Sequence, residues 1–171
     1  MIRALPLLFA VACLAPEVIT EADTTTTTEG ATQAARVCIN ELMVSREGSV
    51  EGVEDTDWLE LHALEAVDFF GWTVRLDTAD ASVEWSIGGS AAAGDFVLLT
   101  ADDDPVGDVG FKLPAEGGAL TLLAADGSYS AVSWGETLPD MALARTTDCC
   151  EGDGCWTSLP AGTPGASNEG V

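Results

Sequence analysis

Cations are scarce in this chain and imidazole is nearly missing. Six Lys and Arg stand against 29 Asp and Glu over 171 residues, a formal net charge of −23, with one histidine and one tyrosine. Neutralising phosphate takes clustered Lys and Arg, so the balance excludes an electrostatic footprint on naked nucleic acid. It also opposes docking by charge onto anionic lipid. A single His closes most routes to nucleophilic and metal chemistry. No G-x-S-x-G, P-loop, H-E-x-x-H or dinucleotide fingerprint occurs. The apolar N-terminal stretch Ala4–Ala12 falls short of the roughly 20 residues that a membrane-spanning helix needs. What remains is substantial: 47% of residues are hydrophobic and 20% charged. That is enough apolar material for a core, at a length that suits one ordinary domain with appendages.

The start, MIRALPLLFAVAC, has Arg3 as its only charge, followed by a short apolar stretch. This is the pattern of an export signal. Ala10 and Ala12 stand three residues and one residue before Cys13, which alone would give ordinary secretion. Together, Ala10-Val11-Ala12-Cys13 resembles a bacterial lipobox. That resemblance implies cleavage after residue 12 and a lipid on the Cys13 thiol. Leu14 after the Cys implies sorting to the outer membrane. Several acyl chains would make the anchoring stable. Residues 13–36 then form a tether. Five consecutive threonines, Thr24 to Thr28, lie in a polar, low-complexity stretch with no periodic apolar face to offset ordering entropy. As a coil it reaches roughly 25–30 Å.

From Val37 the pattern changes to short apolar runs separated by Gly, Asp and Pro. The runs are Val37–Val44, Trp58–Ala63, Phe69–Leu76, Val83–Ile87, Phe96–Thr100, Ala119–Ala124 and Ala131–Trp134. Seven or so strands with turn chemistry between them predict an all-β, antiparallel sandwich over residues 37–171. A helix over 58–70 is the rival, but its apolar spacing fits only partly. Turns are expected at Gly88-Gly89, Ala93-Gly94-Asp95, Gly117-Gly118 and Asp126-Gly127, the last being the strongest hairpin signal.

Several segments, taken in order, carry a resemblance. They are Ile39-Asn40-Glu41-Leu42-Met43, Asp57-Trp58-Leu59-Glu60-Leu61, Val67–Asp77 with Phe70-Gly71-Trp72 inside it, Phe111-Lys112-Leu113 with Gly117-Gly118, and Thr163-Pro164-Gly165-Ala166-Ser167-Asn168. Over roughly residues 37–168 the chain resembles the lamin tail domain. The resemblance implies an immunoglobulin-like β-sandwich that serves interaction or scaffolding rather than catalysis. It implies an extracellular protein or surface component as partner, no cofactor, and membrane contact through the lipid anchor alone. Asp148–Cys155, a cysteine-bearing insertion, departs from the family's pattern.

With Cys13 assigned to lipid, Cys38, Cys149, Cys150 and Cys155 remain. An even number in an exported chain predicts two disulfides. Adjacent Cys149 and Cys150 should not pair with each other. One local bridge within Cys149–Cys155 and one long bridge to Cys38 are therefore expected. A zinc site lacks paired C-x-x-C spacing. Alternation in Trp58–Ala63 puts Trp58, Glu60 and His62 on one face and Leu59, Leu61 and Ala63 on the other. Glu41 and Glu60 read most simply as solvated carboxylates at strand ends, with bonding to neighbouring backbone as the alternative. His62 and the five tryptophans read as core or rim packing, with a tryptophan sugar platform as the sharper alternative. Asp102, Asp103 and Asp104 form an acidic loop without EF-hand spacing. They are weak metal candidates, and a solvated edge-protecting loop is the expectation. The alternative function is an accessory domain that binds calcium or glycan through its acidic loops. Calcium-dependent melting, abolished by replacing Asp102–Asp104, would mark it.

Overall fold

The first strand shows how the sequence sets the architecture. In Val37–Met43 (β1) and the residue after it, Val37, Ile39, Leu42 and Val44 all enter one core. Their spacing is two, three, two rather than a strict alternation. The extra residue is Asn40: Ile39 pairs with Leu61 and Glu41 with Glu60, so the strand bulges between them. A bulge adds one residue and shifts the facing of everything after it. Ile39 keeps Leu61 as its partner on the β2 side, and its backbone groups also meet side chains from other strands. Its N–H donates to Ser130 Oγ at 3.0 Å, and its carbonyl accepts from Arg145 Nε at 2.7 Å.

A computed structural model of the chain describes residues 36–44, 56–101, 108–137, 140–152 and 154–170. The signal segment 1–12, Cys13, the tether up to residue 35 and Asp102–Asp104 lie outside the described residues. Among the described residues eleven strands form, and no helix. After β1 come Asp57–Ala63 (β2), Val67–Asp68 (β3), Thr73–Asp77 (β4), Ser82–Ser86 (β5), Ser90–Ala91 (β6) and Phe96–Ala101 (β7). Gly118–Leu123 (β8), Tyr129–Trp134 (β9), Met141–Arg145 (β10) and Trp156–Pro160 (β11) complete them. One sheet has the order β11-β10-β1-β2-β7, the second β5-β4-β8-β9, and β3 pairs with β6. Every strand pairing is antiparallel. The result is the expected immunoglobulin-like β-sandwich.

The layers meet over Leu42, Leu59 and Leu61 from the first sheet and Val74, Leu76, Leu120, Leu122 and Val132 from the second. Burying each such side chain contributes about 1.5–3 kcal/mol. Val109, Phe111 and Leu113, on the connection from β7 to β8, are buried in the same core. The β8–β9 hairpin forms where Asp126-Gly127 predicts it. Ala124 N–H donates to the Ser128 carbonyl and Gly127 N–H to the Ala124 carbonyl, with Gly127 at φ +87°. This is a three-residue loop whose last position needs a left-handed backbone.

The structure differs from the sequence reading in two places. Phe69–Leu76 is not one strand. Trp72 N–H donates to the Phe69 carbonyl at 3.0 Å, and Gly71 takes φ +79°. A turn therefore separates β3 from β4 and leaves Phe70 86% exposed at its tip. Strands β3, β6, β10 and β11 are also unmarked by the apolar runs. β6 is two residues long, and β11 is an edge strand with mostly exposed side chains.

Candidate functional site: a carboxylate seam under the C-terminal strap

The outward face of the five-stranded sheet is built in rungs. Met43 pairs with Trp58 and Trp58 with Thr100; Glu41 with Glu60 and Glu60 with Leu98; Cys38 with His62 and His62 with Phe96. The middle rung sets two glutamates directly opposite each other, an arrangement that repels when both are charged. Neither is solvated. Glu41, Glu60, Asn40 and Asn168 are all 0% exposed, which overturns the simpler reading of solvated strand-end carboxylates. The cover is the segment after β11, residues 162–168, folded back as a strap.

The strap is held by its polar groups. Glu41 accepts the Thr163 N–H at 3.0 and 3.1 Å and lies 2.9 Å from Thr163 Oγ1. Glu60 Oε2 accepts the Gly165 N–H at 2.6 Å, and its Oε1 accepts from Asn40 Nδ2 at 3.2 Å. Asp148 Oδ1 accepts from Asn40 Nδ2 and from the Asn168 N–H, both at 3.0 Å, and Ser167 Oγ donates to its Oδ2. Asn40 Oδ1 accepts the Cys149 N–H at 3.2 Å, and the Asn40 carbonyl accepts from Asn168 Nδ2 at 3.3 Å. The strap also passes too close for a side chain at one point. A Cβ on Gly162, at φ +67°, would meet Glu41 Oε1 at 2.2 Å and the Trp58 ring at 3.0 Å.

The electrostatics follow from burial. Desolvation raises the Glu41 carboxyl above its ordinary range against the opposing bonds from Thr163, and the Asp148 charge pushes the same way. Desolvation raises Glu60 to about 7, opposed by the Gly165 N–H and Asn40 and reinforced by the charges of Glu41 and Asp148. Asp148 also meets a desolvation penalty. Its bonds from Ser167, Asn168 and Asn40, with His62 nearby, outweigh it and hold the group below the usual carboxylate range.

The four cysteines pair as Cys38–Cys149 and Cys150–Cys155, each with Cα atoms 5.6 Å apart. This is the expected set of one long and one local bridge. Cys38–Cys149 fastens the Asp148 loop to β1 beside the seam. Bridges of this kind persist in oxidising compartments. His62 lies flat enough on Phe96 to bring the ring centroids to 4.3 Å. Its Nδ1 is buried with no hydrogen-bond partner among the described residues. Trp58, Trp72 and Trp134 are buried, and Trp156 carries the Arg145 guanidinium 4.6 Å from its ring centre.

On another side, a cleft of about 500 Å³ lies along β9, β10 and β11, with Trp134, Met141, Leu143 and Trp156 among its lining. Sequence reasoning found one long and one local bridge, though not which cysteine meets Cys38, and the face shared by Trp58 and Glu60. It missed the seam itself, whose one visible signal was the two-three-two apolar spacing in β1. No protein-family model matches the chain, and neither does any curated protein or solved structure.

Proposed function

We propose that this chain is an exported, non-catalytic interaction module of lamin-tail type, anchored to a membrane by lipid on Cys13. One observation carries the reading: the carboxylates most perturbed by burial are used to hold backbone and side-chain donors of the strap. Glu41, Glu60 and Asp148 each accept bonds from residues 163–168. The groups best placed for acid–base work are thus committed to structure. The segments that carry the lamin-tail resemblance also converge here. Ile39–Met43, Asp57–Leu61 and Thr163–Asn168 supply nearly the whole seam, which supports treating them as one motif. The cleft along β9, β10 and β11 offers an apolar surface for a protein partner.

Intact mass of the mature protein extracted from membranes tests the reading. The expected result is a chain beginning at Cys13, carrying acyl mass and lacking four hydrogens for two bridges. A chain with a free, unmodified N-terminus at another residue would overturn the anchor. A reduced chain recovered from the cytoplasm would overturn export altogether.

A further inference from the structure

The donors and acceptors of the seam do not balance if every carboxyl is ionised. Thr163 Oγ1 has one proton and two oxygen neighbours, Glu41 Oε2 at 2.9 Å and Asn168 Oδ1. The Asn168 amide is oriented by its Nδ2, which donates to the Asn40 carbonyl. Turning it over would set its oxygen against that carbonyl, acceptor to acceptor. Asn168 Oδ1 therefore takes the hydroxyl proton, and the contact with Glu41 needs a proton from the carboxyl. A neutral Glu41 satisfies the arrangement completely. Its O–H donates to Thr163 Oγ1 while its other oxygen accepts the Thr163 N–H at 3.0 Å.

The surroundings favour that proton. Across the strand pair stands Glu60, and beyond it Asp148. On the β10 side the partner of Glu41 is Ala144, and the strap contributes Thr163 and Gly162. Arg145, one residue further along β10, points elsewhere, to the Ile39 carbonyl and the face of Trp156. Among the described residues every charged group facing Glu41 is thus acidic, and burial adds to the pressure against a second anion. The strap itself contributes little apolar anchorage, being Gly162-Thr163-Pro164-Gly165-Ala166-Ser167-Asn168. Beneath it lies the smaller apolar cluster of Met43, Trp58 and Ala142.

We propose that one proton, shared between the Glu41 carboxyl and the Thr163 hydroxyl, latches the C-terminal strap over the sheet. Its loss unlatches residues 162–168 and uncovers the Trp58 face. The sign follows from linkage. The closed strap binds this proton more tightly than the open one, so low pH keeps it shut and rising pH opens it. The device is independent of whether Cys13 is lipidated.

Hydrogen exchange on the full, oxidised protein tests it, run together with carboxyl-carbon NMR of the glutamates from about pH 5 to about pH 9. After correction for intrinsic exchange, protection of the Thr163, Gly165 and Asn168 amides is expected to fall by up to about tenfold per pH unit as Glu41 ionises. The Leu120 and Leu122 amides lose no more protection than the fall in global unfolding free energy accounts for. In Thr163→Val the proton's acceptor is gone, and strap amides exchange rapidly at every pH. Three results would overturn the latch: a Glu41 carboxyl already ionised at pH 5, strap protection that is flat across the range, or strap protection that follows Glu60 rather than Glu41.

Discussion

The outward faces of the two sheets follow opposite rules. On the five-stranded sheet, β1 is buried at all seven positions, so both of its faces are covered. On the four-stranded sheet, β9 alternates: Ser130, Val132 and Trp134 are buried while Ala131 and Ser133 are in solvent. The exposed row continues across the sheet with Arg75 and Leu123 and with Ser82, Glu84 and Ser86 of β5. The charged groups on the bare face, Arg75 and Glu84, are left to solvent without structural demands. The covered face carries two carboxylates that must find hydrogen-bond partners within the protein, since an unsatisfied buried polar group costs about 1–3 kcal/mol. The difference teaches that the strap cannot be a passive tail. Once Glu41 and Glu60 sit on that face, something has to donate to them.

The comparison breaks most completely if the covering layer is cut loose from its staple. In the double variant Cys38→Ser/Cys149→Ser the long bridge is lost, and the unfolded chain regains the freedom of a loop of 111 residues. The expected loss is nearly 5 kcal/mol at most, roughly twice that for removing Cys150–Cys155, whose separation is 5. Urea midpoints of the two double variants give the ratio directly, and equal losses would remove the Asp148 loop from the account.

Solution pH separates the faces next. Glu60, raised to about 7 from an ordinary 4.5, holds its proton more tightly folded than unfolded. Its contribution is fully present below about 4.5 and is lost as pH rises through 7, by at most about 3 kcal/mol. Asp148 acts in the opposite sense, since its lowered pKa costs stability only as pH falls below the ordinary carboxylate range. Unfolding free energy should therefore decline between about pH 5 and about pH 8. A rise over that window would show that the seam is not desolvated.

Gly162→Ala sharpens the contrast at a single atom. The new methyl would stand 2.2 Å from Glu41 Oε1 at a backbone φ of +67°, and a loss of about 1–3 kcal/mol is expected. A thermal melt matching the parent would mean that the strap sits further out. The smallest effect belongs to the bare face. Arg75 and Asp77 form an exposed pair at 2.9 Å, and Arg75→Ala should leave the unfolding midpoint unchanged within error, because exposed ion pairs add little.

Much of the sandwich was legible in the residues. Strands β2, β5, β7, β8 and β9 follow from short apolar runs, and the Asp126-Gly127 hairpin from turn chemistry. That there are two bridges, one long and one local, follows from counting cysteines, whereas the choice of Cys149 over Cys150 or Cys155 as the partner of Cys38 does not. The four-stranded sheet was the easier half because one wet face and one dry face produce alternation. The seam was harder for a physical reason. Its cover is irregular chain with no period, so nothing in Thr163–Asn168 advertises what it lies on. Asn40 then shifts the phase of β1, and Glu41, read as a solvated carboxylate at a strand end, lies within the strand and dry. β11 escaped because an exposed edge strand, Trp-Thr-Ser-Leu-Pro, has no buried face to pattern.

The long bridge has a consequence for biosynthesis. After Cys38, no further cysteine appears until Cys149. The first thiol of the domain therefore stays single until most of the polypeptide has emerged. Any product that stops short of the final strands carries an unpaired sulfur as a chemical mark of incompleteness.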